Sequence, residues 1–96
     1  MSKATILGDL NTGHDSCPPV ALVTGSLNVF INGRAAGRVG DSYDSHGCHV
    51  HPSHVGKISK GSSSVFINGE PAGRIGDPVS CGGSVAEGSV NVFIGG

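Results

Sequence analysis

The sequence predicts an all-β protein: a short, conical, three-sided β fold built from three hairpin repeats with pseudo-threefold symmetry. Two observations predict it. A motif ending in Gly-Asp recurs along the chain, and two of its copies carry an apolar strand followed by Asn-Gly. No stretch keeps apolar residues at helical spacing for long enough to form a helix. The 17 glycines and the charged content of only 14% also argue against a helical bundle.

The repeat has two complete copies and one divided copy. The segment GSLNVFINGRAAGRVGD at residues 25–41 recurs as GSSSVFINGEPAGRIGD at residues 61–77. A third copy begins as GSVNVFIGG at residues 88–96, and ATILGD at residues 4–9 matches its missing second half. We therefore expect the two chain ends to pair and close a ring of three units. The units of this single domain run approximately over residues 4–31, 35–67 and 71–94.

Each unit is expected to form a β-hairpin. Val-Phe-Ile followed by Asn-Gly is a strong hairpin signal, because Asn and Gly both tolerate positive φ. The three phenylalanines stand one per unit, each between a valine and an isoleucine, so both faces of these strands are apolar. One face can fill a small interior, and the other is available to a partner protein.

Three aspartates, Asp9, Asp41 and Asp77, each follow a glycine and open a loop. A catalytic role is one interpretation. The favoured one is structural: the glycine takes an unusual φ, and the aspartate accepts backbone N–H bonds. Arg38 and Arg74 are the candidate ion-pair partners of these aspartates.

Composition excludes several classes of function. A net charge of −1 gives no electrostatic reason to expect nucleic acid or an anionic membrane as a partner. No stretch resembles a secretory signal, and no run of apolar residues is long enough to span a bilayer. We therefore expect the protein to be made in the cytoplasm without a signal peptide. Three cysteines are an odd number, which disfavours a complete disulfide framework.

All five histidines and all three cysteines fall in the loops, at residues 10–21, 42–57 and 78–84. Counted from the aspartate that opens each loop, His14 and His46 lie five residues on, and Cys81 lies four residues on. In a threefold ring these positions converge on the axis, and the longest loop can supply a fourth ligand. Three histidines and one cysteine suit a single structural zinc ion, with iron(II) as the alternative.

The fourth ligand is open from the residues alone. We assign it to His51, whose flanking chain is long enough to turn back to the axis, with His49 and His54 as alternates. Cys48 would change the set to two histidines and two cysteines. Cys17 is expected to be a buried or free thiol, and a Cys17–Cys48 disulfide is the alternative in an oxidising setting.

These motifs resemble the PAAR-repeat proteins, named for a Pro-Ala-Ala-Arg sequence. The counterparts here read RAAGR at residues 34–38 and EPAGR at residues 70–74, and the resemblance covers essentially the whole chain. It implies a sharp β-cone with zinc near its apex, held by three histidines and one cysteine. His14, His46 and Cys81 match the apical ligands by position. The family implies a base that caps a trimeric β-helical spike, such as VgrG of type VI secretion systems or the central spike of contractile phage tails.

The resemblance therefore implies a mechanical role, one chain per spike trimer, in piercing the envelope of a target cell. Effectors are possible further partners, contact with the target membrane is transient, and no catalytic residue is expected. The chain resembles a bare tip without extension domains, delivered outside the cell by an injection machine or carried on a virion tail. The residues expected to form the spike-binding base are Val29, Phe30, Val65, Phe66, Val92 and Phe93.

The same loops also suggest two other functions. A small zinc hydrolase needs an open coordination position and a nearby general base. Glu70 and Glu87 lie away from the histidine cluster, whereas Asp15 and Asp44 lie close to it in sequence. A metal-sequestering protein would bind several labile ions instead of one.

Overall fold

A computed structural model describes residues 1–13, 17–48 and 51–96 of the chain, and the account of residues 46–48 and 51–54 is confined to backbone pairing. The described part is all-β, with dimensions of 37 × 24 × 22 Å. It contains no helix long and apolar enough to cross a membrane. The strands are Ser2–Lys3 (β1), Phe30–Ile31 (β2), Arg34–Ala35 (β3), His46–Cys48 (β4), His51–His54 (β5), Phe66–Ile67 (β6), Glu70–Pro71 (β7) and Phe93–Ile94 (β8).

Two of the predicted hairpins have the predicted turns. Strand β2 pairs antiparallel with β3, and β6 pairs with β7 in the same register. The turn residues Asn32 and Gly33 have φ values of 54° and 78°, and Asn68 and Gly69 have 54° and 82°. Positive φ at both central residues is the geometry that Asn-Gly favours, because it matches the twist of the flanking strands. The hairpin prediction is confirmed at both sites.

The third hairpin is built from the two ends of the chain. Strand β1 pairs antiparallel with β8, with Ser2 opposite Ile94 and Lys3 opposite Phe93. Isolated bridges link each unit to the next, from Ala4 to Arg74 and onward around the ring. The predicted closure by the N- and C-terminal segments is therefore confirmed.

A cycle of three backbone hydrogen bonds marks the pseudo-threefold axis. The amide of Gly37 donates to the Thr5 carbonyl at 2.9 Å, that of Gly73 to the Gly37 carbonyl at 2.9 Å, and that of Thr5 to the Gly73 carbonyl at 3.1 Å. A Cβ placed on Gly37 would lie 2.8 Å from Thr5 Cγ2, and one on Gly73 would lie 3.1 Å from it. The axis therefore has room for one side chain in this layer, and Thr5 supplies it.

The core consists of two small buried clusters that both adjoin this axial layer. The hairpins contribute one cluster and the starts and ends of the loops contribute the other. Thr5 Oγ1 and the Tyr43 hydroxyl are buried without a hydrogen-bond partner in the described part of the chain. A core this small is typical of domains that need an additional staple. The first cluster is Ala4, Ala36, Ile67, Ala72 and Ile94, and the second is Leu22, Tyr43, Ile58, Val79 and Val85.

The longest loop is not irregular throughout. Within residues 42–57, strands β4 and β5 pair antiparallel, with His46 opposite His54 and Cys48 opposite His51. The register shifts between His46 and Cys48, which is the signature of a β-bulge. The sequence predicts a loop in this segment, because it holds no Asn-Gly turn and no alternation of apolar residues. That interpretation is corrected by the hairpin.

Candidate functional site

The three loops meet at one end of the ring, and the shortest one is tied to both others. The amide of Thr12 donates to the Ser84 carbonyl at 2.9 Å, and the amide of Ser84 donates to Thr12 Oγ1 at 3.0 Å. On its other side, the amide of Lys57 donates to Ser80 Oγ at 3.0 Å, and the amide of Ser80 donates to the Lys57 carbonyl at 2.8 Å. The loop of residues 78–84 thus joins the first loop to the end of the second.

The first loop is folded back on itself just before His14. Asn11 Oδ1 accepts from the amide of Gly13 at 2.9 Å and from the amide of Val20 at 3.1 Å. Gly83 packs directly against the Gly13 carbonyl, where a Cβ would not fit, and its φ of 74° also favours glycine. Gly13, the residue before the predicted ligand His14 in the sequence, is therefore fixed by contacts from two loops and lies next to the third loop.

Cys81 is the proposed ligand that the structure describes in full. Its thiol is free and half-buried, and it packs against Gly56, where an added Cβ would lie 2.6 Å from Sγ. A soft donor therefore lies at the junction of the second and third loops. This donor, on loops that converge, is compatible with the predicted zinc ion.

The histidine ligands remain predictions. His14 and the alternate His49 lie outside the described residues, and for His46, His51 and His54 the backbone pairing alone is described. Among the side chains that the structure describes, no group of three histidines, cysteines or acidic residues is placed to hold a metal ion. The structure thus brings together the loops that carry the proposed ligands, and the coordination itself stays a hypothesis.

Cys17 is buried and takes part in a disulfide. This removes Cys17 from the candidate metal ligands, as expected, and excludes a free thiol there. The predicted pairing with Cys48 stays a prediction, because the Cys48 side chain lies outside the described part.

The loop-opening aspartates have structural partners, as predicted. Asp41 accepts from the amide of Arg38 at 2.8 Å and from its guanidinium at 3.0 and 3.1 Å. Asp77 accepts the corresponding bonds from Arg74. The hydrogen bond to Asp41 raises the pKa of Arg38, and Asp77 does the same for Arg74. These two carboxylates are therefore held as loop caps.

Asp9 lies in a different setting, which sequence reasoning missed. Its unit has Ile6 at the position of the arginine, so the carboxylate is half-exposed, whereas Asp41 and Asp77 are buried. The alignment of ATILGD with AGRVGD contained this signal, since isoleucine stands opposite arginine.

The three phenylalanines form an exposed apolar set around the hairpins. Phe30 is 60% exposed, Phe66 56% and Phe93 49%. On the opposite strand face, Val29 and Val92 are partly buried against the first cluster, so one apolar face fills the interior, as predicted. This corrects their assignment to an exposed base, and the partner-facing role of the other face stays a prediction. Val65 is 37% exposed. The structure places the phenylalanines where a partner can reach them.

In a comparison with protein families, the model of the PAAR motif matches residues 12–87 of the chain. This range covers most of the chain, with the second and third loops complete and the first from residue 12 on. A search of curated proteins gave no match.

Proposed function

Because the chain belongs to the PAAR-motif family, we propose that it forms the sharp, metal-stabilised tip of a contractile injection machine. In this role it caps the trimeric β-helical spike, either VgrG of a type VI secretion system or the central spike of a phage tail. The tip then enters the target cell envelope first. The family is one of structural spike-tip proteins and not of enzymes, so the energy for piercing comes from the machine.

The pseudo-threefold ring is the observation that carries this proposal. One chain repeats the same backbone contacts three times, as the cycle through Thr5, Gly37 and Gly73 demonstrates. A ring of three equivalent units can present three matching surfaces to the three subunits of a spike. We therefore propose a stoichiometry of one chain per trimer, in which the symmetry of one partner is imitated by repeats in the other.

The spike-facing surface is assigned to the hairpins. Phe30, Phe66 and Phe93 are large, half-exposed and placed once per unit, and aromatic side chains commonly anchor protein interfaces. Val65 adds to this surface, while Val29 and Val92 support it from the core side.

At the opposite, loop-bearing end, we propose one structural zinc ion held by His14, His46, His51 and Cys81, with His49 and His54 as alternates for His51. Iron(II) is the alternative metal. Four protein ligands would leave no position for a substrate, and the binding free energy of the ion would add to that of folding. The small core of the domain makes such a tie useful.

We also propose where the protein is made and where it acts. The chain is made in the cytoplasm, assembled on the machine and carried outside, with effectors as possible cargo and contact with the target membrane only during penetration.

The test is native mass spectrometry of the chain mixed with the trimeric spike protein of its own machine. We expect one chain per trimer. Single substitutions Phe30→Asp, Phe66→Asp and Phe93→Asp should each weaken binding about tenfold or more, because each places a charge in an apolar contact.

Val55→Asp is the matched control, because Val55 is 49% exposed and lies in the metal-loop segment instead of the hairpins. It should bind like the unmodified chain. Three chains per trimer, or no complex at all, would contradict the proposal. Normal binding by all three phenylalanine variants would move the contact to another surface.

A further inference from the structure

Arg38 and Arg74 lie at equivalent positions in the ring, and each guanidinium binds the same two kinds of group. The Arg38 guanidinium donates from Nε and Nη2 to Asp41 at 3.0 and 3.1 Å, and from Nη1 to Asn68 Oδ1 at 3.0 Å. Arg74 donates to Asp77 at 3.1 and 3.0 Å, and its Nη1 donates to a carbonyl of the neighbouring hairpin end at 3.0 Å. In both units one guanidinium joins a loop-opening carboxylate to the adjacent hairpin.

The third position keeps the carboxylate and lacks the arginine. Ile6 replaces it, and the Ile6 amide still donates to Asp9 Oδ2 at 3.0 Å, as the arginine amides do in the other units. Asp41 is 4% exposed and Asp77 is 7% exposed, whereas Asp9 is only half-buried. No arginine or lysine among the described residues forms an ion pair with Asp9.

The hairpin side of the contact is also in place. Asn32 holds the turn position that Asn68 holds in the next unit, and it accepts a hydrogen bond from Ser89 Oγ just as Asn68 accepts one from Ser26. Asp9 and Asn32 line one recess. The recess therefore presents the same two groups, a carboxylate and an amide oxygen, that the Arg38 guanidinium bridges in its own unit.

The charges around the recess favour a cation. Burial is the main cause that raises the pKa of Asp9; Glu87 raises it further, and the Arg34 guanidinium lowers it. Glu87 Oε1 accepts from the Leu10 amide at 2.8 Å, which fixes this carboxylate beside the recess. Two carboxylates and one arginine leave the recess with a net negative charge.

An apolar groove continues from the recess along the same flank. Leu7, Val23, Leu27 and Phe30 line it, and Leu27 is 94% exposed. Leu7 lines both the groove and the surface next to it, and Arg34 lines that surface and the recess itself. At the positions of Val23 and Leu27 the second unit has serines and the third has the smaller apolar residues Ala86 and Val90, so this flank carries the largest apolar side chains of the three.

We propose that this recess binds the guanidinium of an arginine side chain from a partner protein, whose neighbouring apolar residues lie in the groove. The two filled copies within the same chain supply the chemistry and the geometry of the contact. Because only one of the three flanks lacks its own arginine, the site gives a pseudo-threefold ring one distinct side. A single partner molecule per ring can therefore be selected. The groove shares Phe30 with the proposed spike-binding surface, whereas the argument for the recess uses none of the residues assigned to that surface.

The first test is an NMR titration of the 15N-labelled chain with Nα-acetyl-arginine methylamide. We expect saturable shifts of the Ile6, Asp9 and Asn32 amides, and none at the equivalent positions around Asp41 and Asp77. The matched variant Ile6→Arg supplies the missing guanidinium from within and should abolish those shifts. Asp9→Asn should weaken binding about tenfold, the effect of losing one charged hydrogen bond. This second variant tests the site if Ile6→Arg does not fold.

Arg34→Ala separates the partner arginine from an arginine of the same chain. The proposal expects the probe to bind both this variant and the unmodified chain. Binding only to Arg34→Ala would assign the recess to Arg34 itself and overturn the proposal. Absence of saturable shifts in both proteins, or equal shifts at all three flanks, would also overturn it.

Discussion

The amide of Gly37 donates to the carbonyl of Thr5 at 2.9 Å, and a Cβ on Gly37 would lie 2.8 Å from Thr5 Cγ2. The same bond follows around the ring through Gly73. The backbones of three units therefore approach so closely at the axis that side chains are excluded from two of the three positions. The tightness of the ring depends on these glycines.

The first prediction concerns this close approach. Gly37→Ala should lower the free energy of unfolding by about 1–3 kcal/mol, because its Cβ would overlap both Thr5 Cγ2 and Leu22 Cδ2. Urea denaturation measures the change. Leu27→Ala, at a position 94% exposed, should change stability by less than about 0.5 kcal/mol. An unchanged midpoint for Gly37→Ala would show that the axis has more room than the structure gives it.

The second prediction concerns the arginine that links a loop to the closing hairpin. Arg74→Ala removes the bonds to Asp77 and to the carbonyls of Gly95 and Gly96, and leaves a buried carboxylate without its cation. We expect a loss of about 2–3 kcal/mol, as for hydrogen bonds to buried charged groups.

Arg34→Ala is the control for this substitution, because Arg34 is exposed and makes no ion pair within the described residues. It should unfold like the unmodified chain in the same urea series. Equal losses for the two variants would mean that the Arg74 contacts add nothing beyond general charge.

The third prediction compares two aspartates in equivalent positions: Asp41, which forms an ion pair with Arg38, and Asp9, whose unit has Ile6 in place of the arginine. Burial raises the pKa of Asp9, so ionised Asp9 is destabilising above its folded pKa, and this cost disappears as the pH falls below the pKa of an unfolded aspartate. Asp9→Asn should therefore stabilise the protein at neutral pH, and the gain should vanish in acid.

Asp41→Asn is the matched variant. It breaks a buried pair with Arg38 and should destabilise at neutral pH by about 2 kcal/mol. Thermal unfolding of both variants from neutral pH down to about pH 3, below the pKa of an unfolded aspartate, would compare them. Two changes of the same sign at neutral pH would contradict the assignment.

The fourth prediction concerns the metal. Mass spectrometry of metals should find one zinc per chain, and its removal by a chelator should lower Tm by about 10 °C or more, since 1 kcal/mol corresponds to roughly 4–8 °C in a domain of this size. Cys81→Ser and His51→Ala should weaken retention of the ion. If His51→Ala has no effect, the same measurement on His49→Ala and His54→Ala identifies the fourth ligand. A folded protein without metal would remove the site.

The ring could be predicted from the sequence because its repeats can be aligned with one another along the single chain. Asn-Gly fixed the position of two turns, and the similarity of the chain ends to the halves of one repeat indicated the third hairpin. The packing at the axis could not be predicted from the sequence. Thr5 aligns with Gly37 and Gly73 in the repeats, and this difference looks like ordinary variation between copies. Only the backbone hydrogen bonds show that the three residues meet on one axis.

The loops were harder to predict than the frame. The β4–β5 hairpin forms without a recognisable turn signal, and its bulge changes the alternation of residues along the strand. Similar spacings of five, five and four residues from Asp9, Asp41 and Asp77 indicated which loops converge. It could not determine which histidine of a crowded segment is the fourth ligand, because backbone spacing does not fix a side-chain direction there.

The pairing of β1 with β8 has a consequence for the connectivity of the fold. The terminal strands form the third hairpin, equivalent to the two continuous ones. The ring therefore does not require the chain to begin at one particular hairpin. A circularly permuted gene, with its ends joined by Asn-Gly and its new start at Gly33, would encode the same set of neighbours. Translation could then begin at any of the three corners without altering the final architecture.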